Sequence, residues 1–465
     1  MASGVSARRI PLLERKISRS QLVIGIAYVL LIGTGLSWLA GSGVGAFALT
    51  LLLIVLASIS RTELCCELLF ACFPFFNVMG WELGGTSLYY VLILLAVAKV
   101  VVHGEIDHGK SRALLYLIIV LFTVYNVFAG LSYAKWLLHL LVPVLLVGSD
   151  RMKARLPRYL GLLTVSMVIA SVIGLMMVNS GIYLYGGDVW TNGEHTSRFS
   201  GLIGDPVFFG QVASAIVGAN AFLVYIGHSY RFSVPLSVAL AFFDLLAYSK
   251  AGLFSLAIVA GFIVFAFFYK TIREGLPVRN LVMLFFATIL VCYGAQYLMS
   301  DSSLFSVDAM TTRLDSSDPL TGRTQIWQGY LSLWQSIGVP MVFKGIGFDT
   351  YAATHVWGAF NRCHNLYVES VTLFGVVGAA LIFMLLGAYM LKRARSGATL
   401  MAYLPCIVLL ATGIVLHGFL DFPFFYEWTV ALGCLDYASA IYVKRGVQER
   451  TEFMERRDRG LHDAI

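Results

Sequence analysis

The sequence predicts an all-α integral membrane protein, a polytopic bundle of about fourteen transmembrane helices. Three observations carry that expectation. Of the 465 residues, 58% are hydrophobic and 13% charged, with mean hydropathy +0.80, whereas soluble domains are about a quarter charged. Apolar runs of about 20 residues, the length that crosses a bilayer, recur along the chain. When those runs alternate in direction, most lysines and arginines collect on one side.

In order, the runs fall near 22–40, 44–60, 63–79, 86–102, 113–129, 133–149, 158–179, 205–226, 232–248, 251–270, 280–299, 366–391, 398–416 and 422–443. The basic start MASGVSARRIPLLERKISRS precedes an apolar run with no small-residue cleavage site, so that run reads as a retained helix and not a signal peptide. Pro74, inside FPFF, lets the third run be either a crossing or a re-entrant segment. Residues 1–299 thus hold about eleven spans, 300–365 a large outer loop, 366–443 about three spans, and 444–465 a basic cytoplasmic tail.

With the N-terminus cytoplasmic, Arg151, Lys153, Arg155, Arg158, Lys270, Arg273, Arg279, Lys392, Arg393 and Arg395 all fall inside. Of 33 basic residues, the exceptions are Lys135, Arg198, Lys250, Arg313, Arg323, Lys344 and Arg362. The net charge of +7 then reflects topology and attraction to anionic membrane lipids, and calls for no nucleic acid. Six of the seven cysteines lie in or beside apolar runs and Cys363 faces out in a loop; no CxxC pair suggests a disulfide framework or a structural metal.

Two outer segments carry the polar chemistry. One is 180–204, SGIYLYGGDVWTNGEHTSRFSGLIG; the other is 300–365. In the second, Ile326, Trp327, Tyr330, Leu333 and Trp334 recur at helical spacing and predict an amphipathic helix along the membrane surface. Its start, Thr321-Gly322-Arg323, combines free backbone N–H groups with a guanidinium, an arrangement that favours an anion. Each outer cation has an ordinary reading as a solvated charge or a partner of Asp315, Asp318 or Asp349. Arg198, Lys250 and Arg323 differ because each stands at a helix mouth, where several cations make a site suited to phosphate.

The stretch CHNLYVESVTLFGVVG puts His364 and Asn365 at the head of an apolar run. Beside a helix N-terminus an imidazole is kept neutral and able to take a proton near neutral pH. The simpler alternative is an interfacial histidine that caps the helix with Asn365. Glu369 follows inside the membrane, where a carboxylate demands a partner, and Gly375 and Gly378 permit close helix packing.

HNLYVESVTLFGVVG resembles the H-[NSQ]-x9-G-x-x-G pattern of bacterial O-antigen ligases and Wzy-type polysaccharide polymerases. TGRTQIW with KGIGFDTY resembles that family's large outer loop, RFSGLIGDPVFFGQ its arginine segment, and YSKAG its S-[RK]-x-G turn. The likeness covers about residues 195–380; Ala379, the Arg198-to-Gly210 spacing and Lys250 depart from the family pattern and leave polymerase or ligase open.

The resemblance implies a GT-C-like, metal-independent glycosyltransferase with no cofactor, in the bacterial cytoplasmic (inner) membrane with its active site on the extracytoplasmic face. The implied donor is a glycan on undecaprenyl diphosphate; the acceptor is another lipid-linked glycan for a polymerase or lipid A-core for a ligase. A flippase and a chain-length regulator are the implied partners. His364, Arg323 and Arg198 become the implied catalytic residues, with Lys250, Asn365, Arg362 and Glu369 binding substrate. The AGSGVG turn lacks the acidic pair of metal-dependent GT-C enzymes. The competing class is a lipid-linked glycan transporter, which would show repeats and discontinuous helices.

Overall fold

The computed structural model describes residues 18–79, 87–103, 154–182, 188–191, 194–197, 199–247, 249–274, 323–356, 362–395, 399–415 and 424–442, with isolated positions at 117, 120, 137, 138, 140, 142 and 418. The described residues form helices joined by turns and coil, with one short hairpin. Among the described residues, four helices are long and apolar enough to cross a membrane: Arg19–Leu39 (α1), Leu156–Asn179 (α5), Pro206–Tyr225 (α6) and Leu366–Arg395 (α12). Shorter apolar helices accompany them, including Gly43–Ile59 (α2), Tyr89–Val102 (α4) and Ser233–Leu246 (α7). Outward residues such as Val29 (70% exposed) and Val44 (74%) are apolar, as a surface facing lipid tails requires. The runs expected at 113–129, 133–149 and 280–299, and the tail 444–465, lie outside the described residues.

Helix starts follow from local chemistry. Ser18 opens α1 with a reciprocal cap: its backbone N–H donates to Gln21 Oε1 at 2.9 Å and its hydroxyl accepts from Gln21 N at 3.3 Å. Asp205 accepts from Val207 N and Phe208 N ahead of Pro206, which starts α6.

Two opposite ends can be traced through contacts. At one, the starts of α1, α3 (Thr62–Cys72) and α5 meet the end of α2 around a shared cavity. Lys99, near the end of α4, donates to Ser58 O at 2.7 Å and to Ser60 O, covering carbonyls that α2 leaves open. Arg393, late in α12, pairs with Asp436 at 2.6 Å, and His228, just after α6, bonds Tyr437 at 2.8 Å. These contacts link the ends of α6 and α12 to the latter half of helix 424–442 (α14).

At the other end, Trp38 Nε1 donates to Val78 O at 2.6 Å, and Asn77 Nδ2 donates to Ile203 O at 2.6 Å. The third run therefore starts beside the head of α1 and finishes beside its tail. It runs alongside α1 as α3, a 3-10 turn at Phe73–Phe75 and a short coil. Pro74 sits in that turn, where its missing N–H costs no helical bond.

Segment 180–204 is not all loop. Asp188–Thr191 (β1) and Glu194–Ser197 (β2) pair antiparallel, with Asp188 opposite Ser197 and Thr191 opposite Glu194.

The run at 366–391 differs most from expectation. Gly375 has φ 73° and ψ 171°, so α12 is two helices, 366–374 and 376–395. The ring centroids of Tyr367 and Phe383 lie 5.2 Å apart, where a continuous helix would separate them by about 24 Å. The first half folds back along the second. Its freed carbonyls are met by backbone: Ile346 N donates to Thr372 O at 2.8 Å and Gly347 N to Leu373 O at 3.3 Å. Gly375 thus serves a chain reversal rather than simple helix packing.

Candidate functional site

The site is built on that short half-helix. Asn365 caps it, accepting from Tyr367 N and Val368 N at 3.0 Å each, while its Nδ2 donates to Ile414 O at 2.9 Å. Leu366 N donates to Gly413 O at 2.7 Å, so the helix mouth abuts the end of Leu404–Thr412 (α13). Glu369 is fully buried and its Oε2 accepts from Gly418 N at 2.6 Å. Its carboxylate therefore holds Gly418, and that backbone amide is one partner a buried carboxylate requires.

The predicted amphipathic helix is present as Arg323–Ile337 (α9). Its apolar face is covered by protein: Ile326 and Tyr330 are buried with Phe348, Tyr351, Leu366, Leu373 and Phe374. Trp327 Nε1 donates to Cys363 O at 2.8 Å and Trp334 Nε1 to Thr372 Oγ1 at 3.0 Å. These two bonds, seven residues apart on one helix and nine on the other, make α9 parallel to the half-helix. Two N-termini, each with partial positive charge, therefore lie side by side. Arg323 is the first residue of α9, one turn before Trp327 on the same face. It stands at the end that holds Arg362 and His364.

Cys363, expected to face out, is buried, and its backbone and thiol are bonded throughout. Its N–H donates to Tyr351 Oη at 3.1 Å, its carbonyl accepts from Trp327, and its Sγ donates to Asn365 O at 3.1 Å. Burial pushes the Cys363 thiol up, and the Glu369 carboxylate adds to the shift. His364 lies between these two fixed residues at φ 48°, the one positive φ outside glycine among the described residues. Such a conformation persists only where its surroundings over-determine it, and it collects at functional sites.

Lys250 reaches the same level from the other side. It is the first residue of Lys250–Glu274 (α8). A Cβ on Gly252 would fall 3.1 Å from Gly210 Cα, so the start of α8 packs backbone to backbone against α6. The next residue, Gln211, donates to Thr412 Oγ1 at 2.6 Å, beside the Gly413–Leu366 bond. Buried Gln211 Oε1 has no hydrogen-bond partner among the described residues. Gln211, Thr412 and Tyr351 were not singled out from sequence; Gln211 closes the motif RFSGLIGDPVFFGQ and was within reach.

The structure thus brings Arg323, Arg362, His364 and Asn365 to one helix mouth and links them through α13 to the start of α8 at Lys250. Arg198 lies outside the described residues. No protein-family model matches this chain, and no curated protein matches it.

Proposed function

We propose that this protein is a membrane glycosyltransferase that polymerises undecaprenyl-diphosphate-linked oligosaccharide units into a surface polysaccharide. It would do so at the outer face of the cytoplasmic membrane, on a fourteen-span, GT-C-like bundle with both tails cytoplasmic. The supporting observation is the helix mouth where Arg323, Arg362 and His364 stand at one end of two parallel helices. Cations and helix N-termini suit a diphosphate whose charge grows as it departs. In the proposed reaction the acceptor hydroxyl oxygen bonds to the donor's anomeric carbon, the anomeric C–O bond breaks, and undecaprenyl diphosphate leaves. His364 takes the hydroxyl proton. Transfer to lipid A-core, the ligase reaction, uses the same groups with a different acceptor.

Purified full-length protein with an undecaprenyl-diphosphate oligosaccharide is the test. His364→Ala is expected to lower transfer by about 10²–10⁴-fold, the usual range for a general base. Arg323→Ala is expected to cost about 10²–10³-fold, as for a lost charge-stabilising donor. Added EDTA leaves the rate unchanged, because guanidiniums hold the diphosphate. Wild-type rates in both variants would sink the reading.

The broken α12 favours a second reading, a transporter of the same lipid-linked glycan, since transporters aim half-helix N-termini at anionic substrate groups. At Gly375, however, backbone amides of 346 and 347 occupy the freed carbonyls. That makes the break a structural splice and leaves only the half-helix mouth for a ligand. Movement of intact donor across proteoliposomes without new glycosidic bonds would decide for transport.

A further inference from the structure

The end opposite the proposed active site holds a cavity of about 590 Å³, lined by Arg19 of α1, Arg61 and Glu67 at the start of α3, and Arg155 and Arg158 at the start of α5. Apolar Val23, Leu56, Ile59 and Leu64 form part of the same wall. Its chemistry is unlike a plain positive-inside surface. Glu67 is fully buried, and Arg155 Nη1 and Arg158 Nε both bond its Oε1 at 2.9 Å. Its second oxygen, Oε2, is closed off from solvent and has no hydrogen-bond partner among the described residues. Four arginines against two glutamates, Glu63 and Glu67, give the lining a formal excess of +2.

Arg61 and Arg155, which precede α3 and α5, make no side-chain cap, so the first N–H groups of both helices add positive potential. Lys99 covers the opposing carbonyl end of α2. A ligand for this cavity should therefore carry a net negative charge and an apolar part. A phosphodiester on an acyl-bearing glycerol meets both demands.

We propose that the cavity binds one anionic glycerophospholipid, such as phosphatidylglycerol, from the cytoplasmic leaflet. Arg19, Arg61 and the uncapped helix starts take the phosphate. Arg155 and Arg158 remain on Glu67 and hold it in place. The lipid ties α1, α2, α3 and α5 together at one end, and the proposal stands independently of glycan transfer.

Delipidated full-length protein in detergent is titrated with phosphatidylglycerol, phosphatidylethanolamine and phosphatidylcholine, followed by native mass spectrometry and thermal melting. One phosphatidylglycerol should bind saturably, at least about tenfold more tightly than either zwitterionic lipid, and raise the melting temperature. The Arg19→Gln/Arg61→Gln variant, which leaves the Glu67 pairs intact, should lose that preference. Equal binding of all three lipids would overturn the proposal, as would an unchanged preference in the variant. So would a shift with soluble glycerol phosphate and none with the lipid. Should the variant fail to fold, the wild-type comparison of lipids still decides.

Discussion

His364 holds φ 48° between two immobilised neighbours, and that geometry separates its chemical role from its structural cost. A β-carbon in this region costs about 1 kcal/mol or more, and glycine does not incur it. His364→Gly should therefore be more stable than His364→Ala by about 1 kcal/mol, read as a higher melting temperature, while both fail in glycan transfer. If both variants melt alike, the backbone is not constrained as described. Asn365 was legible because a cap needs only its own residue type and the run after it. Cys363 was not: its loop position suggested exposure, but Tyr351, twelve residues earlier, and Trp327 enclose it. A maleimide at pH 7–9 should leave Cys363 unlabelled until the protein is denatured. The sign follows from its raised pKa: the folded state keeps the thiol proton. Stability from this group is fully present below the unfolded thiol pKa, about 8.5, and declines as pH rises beyond it. Rapid labelling at pH 7 would show that the outer segment is open.

At the scale of elements, hydropathy located the runs but not their interruptions, because a break leaves composition unchanged. Gly375 looked like a packing glycine. Its φ of 73° and the backbone of Phe343–Lys344, 2.8–2.9 Å from where its Cβ would stand, instead mark a splice between two chain segments. Likewise Asn192-Gly193, between Val-Trp-Thr and Glu-His-Thr, was a readable hairpin signal that the outer position of the segment obscured. The glycines of the two motifs before the outer loop also have a shared cause. A Cβ on Gly210 or Gly252 would lie 2.5 or 2.4 Å from Asp244 Oδ1, while Ser214 donates to Oδ2 at 2.8 Å. Asp244 is thus wedged where α6, α7 and α8 meet, and its described partner is a hydroxyl rather than a cation. Gly252→Ala should cost about 2 kcal/mol or more, as overpacking against a fixed polar group does. Gly387→Ala, with nothing within 4 Å of its Cβ, should be neutral or slightly stabilising. A thermal melt of the two variants checks the contrast; equal effects would remove the close-packing argument.

For the whole molecule, the alternation inferred from lysines and arginines agrees with the contacts among described helices. The heads of α1, α3 and α5 share a cavity with the end of α2, and the ends of α6, α12 and α14 are tied by Arg393–Asp436 and His228–Tyr437. Long apolar runs determine their own direction because each must cross, so this much was legible. The link from the start of α8 through α6 and α13 to the head of α12 was not, since it depends on Gln211 and Thr412, two polar residues inside apolar runs. The contacts leave open which end faces the cytoplasm; only the charge bias decides that. New cysteines at the exposed positions Ala154 and Pro340 separate the two orientations. A membrane-impermeant maleimide added to intact cells should label Pro340→Cys and spare Ala154→Cys until the membrane is opened. The reverse pattern would place His364 and Arg323 on the cytoplasmic side, away from the outer face where the proposed polymerisation occurs. It would also turn the Glu67 cavity toward the outer leaflet. One labelling experiment therefore bears on the sites at both ends, because the same alternation of helices positions them.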